Sequence, residues 1–321
     1  MKITKIDLNN KIYGGRIYEN QIIDLLNNEI NVERIFLLKY RIKILNIPRI
    51  IWLFIKYHFS FKGTLLLTNQ TTWLAGRQAH NIVIIHHLDS SFSDNLSNKY
   101  QSFCEKALYR NRKLFSTVVT VAKCWKEQLQ KKGFKNVIVI YNSFNPNLYK
   151  FSSHEIQAFK EKHNLLNKPL IYLGNCQKKK GVVEAYNALK SMDVLFVTSG
   201  NKDVELPLPN LNLSFEDYRL LLASSDIVIT MSQFKEGWNR TAHEAILSGT
   251  PVIGSGSGGM EELLILSNQI ICKSFNDLPQ FVDMVLKKEI IDYDTFLETF
   301  NIAYFKQSWK NVFFRISGDE S

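Results

Sequence analysis

An α/β protein with two parallel-sheet domains is the fold that this sequence predicts, and three observations carry the prediction. Short apolar runs alternate with stretches of helical spacing along most of the chain, the pattern of repeated strand–helix units. Glycines and prolines punctuate the junctions between them. The length of 321 residues suits two domains of ordinary size better than one.

Composition narrows the class further. With 45% apolar residues and only 15 Gly and 7 Pro, the chain can bury two cores and has no low-complexity tract or internal repeat. The net charge of +10 favours anionic partners: nucleotide sugars, phospholipid headgroups or nucleic acid. The lysines are spread over both halves and no nucleic-acid module is visible, so nucleic acid is not an expected partner. Cys104, Cys124, Cys176 and Cys272 form no C-x-x-C pair and lack a histidine at metal spacing. They read as buried thiols in a reducing, cytoplasmic setting, and no metal or cofactor is expected. The N-terminus lacks an apolar signal region, and no uncharged apolar run is long enough to span a bilayer.

In chain order, Met1 to Leu8 alternates as a strand, Gly14-Gly15 makes a turn, and Ile17 to Leu26 has helical spacing. A glycine pair between first strand and first helix lies where α/β sheets bind ligands. Val32 to Leu38 is a second strand. Tyr40 to Lys62 follows, rich in Ile, Phe and Trp, with five Arg or Lys and no acid. It reads as helix broken by Pro48, and it fits an interfacial helix on an anionic membrane and a core-packed helix equally well. Gly63 to Thr68 and Asn81 to Ile85 are buried strands. The second runs into His86, His87 and Asp89 at the functional edge of a parallel sheet. Phe103 to Phe115 (helix), Thr117 to Val121 (strand), Lys123 to Lys132 (helix ended by Gly133) and Val137 to Tyr141 (strand) complete a first domain, 1–147. A terminal helix, 301–321, is expected to return to it.

The second domain, 148–300, opens with a strand at Pro169 to Leu173 and a basic turn that includes Asn175, Lys178, Lys179, Lys180 and Gly181 before a helix from Val182. Lysines and a glycine at a strand-to-helix turn suit a diphosphate. Val194 to Thr198 is a strand that leads to Gly200, and Ser214 to Ala223 is a helix before the strand Ser225 to Ile229. Gln269 to Cys272, Asp277 to Lys287 and Tyr293 to Phe300 are a strand and two helices. Between them lies the densest stretch, Ser232 to Glu262. Asn239 or Thr241 caps a helix that Gly249 and Pro251 end, and Thr250 to Gly254 is a buried strand. The strand opens into Gly254, Gly256, Gly258 and Gly259 ahead of a helix from Met260. Bare backbone and two helix N-termini converging beside carboxylates describe a sugar-nucleotide site. The same glycines satisfy G-x-G-x-x-G, but they come late in the chain and the acid at the right distance, Asp277, sits in a loop.

Glu236 and Glu244, seven residues between them, followed by SGTPVIGSGSGGMEEL, resemble the signature of retaining GT-B glycosyltransferases of the family 4 type. The resemblance implies two Rossmann-like domains facing across a cleft, and transfer of a sugar from a nucleotide-diphosphate donor to a hydroxyl acceptor, a glycan or a lipid-linked one. Glu236 would hold sugar hydroxyls and Glu244 the ribose. Gly14, Gly15, Asn175, Lys179, Lys180, Gly181 and Gly200 would line the donor, as would Gly237, Asn239, Arg240, Thr241, Gly258, Gly259 and Glu261. His86 or His87, with Asp89, would serve near the reacting carbon. Two departures stand out: Asn239 replaces a glycine, and Asn175 or its neighbour replaces an arginine. A sugar-nucleotide epimerase or a phosphorylase would share the same architecture.

Overall fold

The computed structural model describes residues 2–11, 14–27, 29–89, 95–287 and 299–318. Packing divides the chain into two compact units, Met1–Asn142 with Ala303–Ser321, and Ser143–Ile302. The sequence expectation puts these crossings at 147 and 300.

The first unit runs β1 (Lys2–Asp7), α1 (Gly14–Leu26), β2 (Asn31–Phe36), α2 (Asn46–Ile55), β3 (Thr64–Thr68) and β4 (His80–Ile85). It continues through α3 (Asn95–Arg110), β5 (Phe115–Thr120), α4 (Lys123–Lys131) and β6 (Val137–Val139). The strands pair in parallel in the order β2-β1-β3-β4-β5-β6. β3 is buried along its whole length and β4 from its second residue on, because helices cover both faces of a parallel sheet.

The second unit runs α5 (Ser153–Lys162), β7 (Leu170–Asn175), α6 (Val182–Leu189), β8 (Leu195–Ser199), β9 (Asn210–Leu211) and α7 (Phe215–Ser224). Then come β10 (Ile227–Thr230), α8 (Arg240–Leu247), β11 (Val252–Gly254), α9 (Gly259–Leu266), β12 (Ile270–Ile271) and α10 (Leu278–Leu286). The order β12-β11-β10-β7-β8-β9 is again parallel. In each sheet the chain starts at an inner strand, builds outward on one side, and then crosses to the other. The crossing leaves a crevice at the C-terminal ends of β1 and β3 in one sheet, and of β7 and β10 in the other.

The last helix, α11 (Ile302–Gly318), belongs to the first unit almost from its start. Phe305, Trp309 and Phe313 are buried, and Phe305 meets the Tyr18 ring of α1 edge-on at 4.9 Å. Such aromatics contribute about 1.5–3 kcal/mol each when fully buried. The Tyr18 hydroxyl donates to the Ile140 carbonyl at 3.0 Å, which joins α1 to the end of β6.

Several elements differ from expectation for local reasons. Gly14 and Gly15 are the first two residues of α1 rather than a turn before it. Pro48 does not break α2, because it stands in the first turn, where its missing N–H has no helical partner to lose. The helix expected at 103–115 is α3, which ends at Arg110; Phe115 opens β5 after a single 3₁₀ turn. α5 was not predicted, although Ser152 and Glu155 form a complete capping box at its start. Most of the helix expected at 293–300 lies outside the described residues.

Candidate functional site

The crevice between β7 and β10 gathers most of the residues singled out in the sequence. Gly174 and Asn175 from β7, Thr230 from β10, and Lys180, Ser232 and Asn239 from the loops that follow line one small recess there. Glu236 is buried in the loop between β10 and α8. Its Oε1 accepts from Lys180 Nζ at 2.6 Å, from Ser232 Oγ at 2.6 Å and from Asn239 Nδ2 at 3.5 Å. Lys180 also lies 5.1 Å from the centre of the Phe234 ring, and Lys179 lies 5.6 Å from it. The two lysines therefore stand together over an aromatic face, with Lys179 exposed and Lys180 half-buried. Such paired cations favour an anion in the crevice.

Backbone geometry explains the glycines. The N–H of Glu236 donates to the Ser257 carbonyl at 3.1 Å, and the N–H of Gly259 donates back to the Glu236 carbonyl at 2.8 Å. The acid loop and the glycine loop are thereby held as one two-stranded bridge, Glu236 beside Gly258. Gly258 has φ of 69°, and a Cβ there would stand 2.9 Å from the Glu236 nitrogen and against its carbonyl. Only glycine fits. Gly181 is the second such case, at φ of 70° with the Met231 carbonyl where a Cβ would be. It opens α6 without a side-chain cap, so the first N–H groups of that helix have no capping side chain.

α8 is capped by Asn239, whose Oδ1 accepts from the Ala242 N–H at 2.9 Å; of the two expected caps, the structure uses this one. The Asn239 side chain thus serves the helix and Glu236 together. Gly237 is buried between them. Glu244 lies one turn into α8 and is buried. Tyr149 Oη donates to its Oε1 at 3.2 Å, Tyr218 Oη to its Oε2 at 3.3 Å, and Arg240 Nη2 lies 3.5 Å away. Burial pushes its carboxyl above the ordinary range, against the opposing pull of Arg240 and the two tyrosines. Thr241 Oγ1 lies 3.2 Å from the same Tyr218 hydroxyl. Arg240 stacks on Phe144 at 4.4 Å.

Asn175, Gly200 and Glu261 complete the candidates of this unit. Asn175 receives the Tyr172 hydroxyl at 3.3 Å, and Gly200, at φ of 74°, passes close to the Asn175 side chain. Glu261 is exposed in the first turn of α9 and pairs with Lys273 at 3.1 Å. Lys273 also donates to the Gly256 carbonyl at 3.0 Å, bracing the glycine loop. Sequence reasoning passed over Tyr149, Tyr218, Ser232, Phe234 and Lys273. Ser232 and Phe234 sit inside the stretch already marked. The two tyrosines reach Glu244 from distant segments, which no local signal reveals.

Gly14, Gly15, His86, His87 and Asp89 belong to the first unit. Gly15, His86, His87 and Asp89 line a cavity of about 130 Å³ with Gln70 and Glu105. His87 Nδ1 meets the main-chain oxygen of Asp89 at 3.1 Å. The carboxylate that meets His86 is Glu19, at 3.1 Å from its Nε2. Asp89 was the expected orienting group, and Glu19 was not foreseen. Glu19 belongs to a buried charge network beneath the cavity. Lys5 Nζ lies 2.7 Å from Glu19 Oε2 and pairs with Asp7, Arg16 pairs with both acids, and Arg34 Nε reaches Asp7 Oδ2 at 2.6 Å. Burial alone would raise the Glu19 carboxyl, but Lys5 and His86 outweigh it and pull it down to about 2. Among the described residues no group of three or more His, Cys, Asp or Glu is placed to hold a metal ion.

No family model matches the chain, and no curated protein matches it in sequence. Solved structures do match in shape. HepE of Anabaena, solved with UDP-glucose, superposes with a TM-score of 0.75 over 98% of this chain and 99% of that one, at 17% identity. Sucrose-phosphate synthase of Thermosynechococcus elongatus gives 0.77 over 99% of each chain at 14% identity. The fold is GT-B. A glycosyltransferase of Rickettsia africae extends the same likeness, at a TM-score of 0.66, 98% of each chain and 17% identity. In GT-B terms, the recess at β7 and β10 lies in the C-terminal Rossmann-like unit, and the His86 cavity in the N-terminal one.

Proposed function

We propose that this chain is a retaining glycosyltransferase that moves a sugar from a nucleotide-diphosphate donor to a hydroxyl acceptor. The observation that carries the reading is the joined pair of loops at the β7/β10 crevice. There Glu236 is tied through Lys180 to the phosphate side and through Gly258 to the glycine loop. A diphosphate seated on the α6 N-terminus would meet Lys180, Lys179 and N–H groups that no side chain caps, and the sugar beyond it would meet Glu236. Glu244, held by two tyrosines and Arg240, is the residue that meets the ribose hydroxyls in this reading. The HepE complexes with UDP and UDP-glucose make a UDP-sugar the first donor to test.

In the reaction the bond from the anomeric carbon to the phosphate oxygen breaks as the acceptor oxygen bonds to the same face. The acceptor proton passes to the departing phosphate. Neither glutamate is asked to form a covalent bond. Glu236 is ion-paired with Lys180, and Glu244 accepts hydrogen bonds from Tyr149 and Tyr218. Charge on the leaving diphosphate is met by lysines and helix dipoles, a preorganised electrostatic contribution.

A thermal-shift series with UDP, GDP, ADP, CMP and dTDP tests the binding half. The cognate diphosphate at 100 times its Kd should add about 2.7 kcal/mol. Incubation with the matching sugar nucleotide then tests the chemistry, with the anomeric coupling of the product read by NMR. Donor consumed without an acceptor would point to an epimerase or hydrolase, and indifference to every nucleotide would end the proposal.

A further inference from the structure

Helix α2 turns apolar side chains outward as well as inward. Leu53 and Tyr57 are buried, and Ile50 and Phe54 pack against the same core. On the opposite side Ile47, Ile51, Trp52 and Ile55 are each more than half exposed. Ile42 and Ile44 before the helix are exposed as well, and so is Phe59 after it. Ile50 also walls an open groove of about 510 Å³, whose other sides include Leu8, Leu38, Trp73, Tyr100 and Phe103. The Tyr100 hydroxyl is turned away to the Gln70 carbonyl at 2.7 Å, so the groove presents carbon. Exposed apolar surface this concentrated marks a binding face.

Charge indicates what binds. From Arg34 to Leu88 the chain has no Asp or Glu and eight Lys or Arg. Several of these cations sit on the exposed aromatics: Lys56 lies 5.1 Å from the Trp52 ring centre, Arg77 5.0 Å from that of Phe59 and Lys39 6.0 Å from that of Tyr40. A second copy docked on this face about a two-fold axis would set cations such as Lys39, Lys56 and Arg77 against their own copies. A bilayer with anionic headgroups supplies the missing charge and takes the apolar side chains below it. Aromatic rings paired with cations suit that headgroup level. No described helix is long and apolar enough to cross a membrane.

We propose that α2 and its flanks dock reversibly on an anionic lipid surface, with the helix in the headgroup plane and the groove receiving an acyl chain. The test is co-sedimentation of the full chain with vesicles of phosphatidylcholine alone, or with one third phosphatidylglycerol. Binding is expected to the anionic vesicles, with little to the neutral ones and partial release in high salt. Ile51→Ser with Trp52→Ser should abolish it while the melting temperature holds, since both side chains are exposed. Arg41→Ala with Lys62→Ala should lower partitioning about 25-fold, at about fivefold per cation. Absence of vesicle binding by the wild type would overturn the proposal, and so would equal binding by both variants. A dimer seen in analytical ultracentrifugation and dissolved by the serine variant would assign the face to a second copy instead.

Discussion

Each sheet carries a charged centre beside the C-terminal end of its first strand, and the two are built in opposite ways. Beside β1, Lys5, Arg16 and Arg34 face Asp7 and Glu19, and every carboxylate is buried among its cations. Beside β7, Lys180 pairs with Glu236 while Lys179 stands over Phe234, and both lysines remain partly open to solvent. A closed network spends its charge on itself, and its loss is felt in folding. An open one keeps its cations within reach of a ligand, and its loss is felt in binding. The same topology thus holds a closed centre in one unit and an open one in the other.

The largest effect should come from breaking the closed centre. Glu19→Gln is expected to cost about 3–5 kcal/mol in urea unfolding, since it removes one of the carboxylates that balance the buried Lys5 and Arg16. Lys180→Ala, on a half-exposed side chain, should change stability by under about 1 kcal/mol. Equal losses would erase the contrast. The pH dependence follows the same division. The folded Glu19 carboxyl is held near 2, below its unfolded value of 4.5. Its stabilisation is therefore complete above about pH 4.5 and disappears as pH falls toward 2. Glu244 is shifted upward and contributes with the opposite sign: its contribution is present below the unfolded value and is lost as pH rises through the folded one. Acid titration of Glu19→Gln and Glu244→Gln should flatten slopes of opposite direction.

Next in size is the ligand side. Lys180→Ala should weaken UDP by about 1.5–3 kcal/mol in calorimetry and leave uridine nearly unchanged. A matching loss for uridine would remove Lys180 from the phosphates. Glu244→Gln should weaken UDP by about 1–2 kcal/mol. Wild-type affinity should fall on acidification at a higher pH than an ordinary carboxylate would give, and the variant should not follow. Smallest is the effect of Glu236→Ala on UDP itself. Releasing Lys180 from its ion pair should leave UDP affinity equal or slightly tighter while turnover collapses. A clear loss of UDP affinity would place Glu236 on the nucleotide rather than the sugar.

The asymmetry between the centres was only half legible in the sequence. Lysines, glycines and acids of the open centre come from short loops at strand ends, where turn chemistry and spacing speak directly. The closed centre is hidden because Lys5 and Asp7 read as the polar positions of an alternating strand. In the fold they face α1, where Glu19 meets Lys5 from fourteen residues on and Arg16 meets Asp7. Burial of polar strand residues is decided by what covers the sheet, and this is a tertiary fact. Tyr149 and Tyr218 escaped notice for the same reason, while the helix α5 had a legible cap in Ser152 and Glu155.

The return of α11 to the first unit has a consequence for how the protein is made. Tyr18 finishes its packing only against Phe305 and Trp309, which the ribosome delivers after the whole of Ser143–Ile302. At roughly 5–20 residues per second, the first core waits unfinished for on the order of ten to thirty seconds. The second unit is contiguous in the chain and needs no such delay. It can close first, although it is begun second. A nascent-chain protease pulse should therefore find the C-terminal Rossmann-like unit resistant before the N-terminal one.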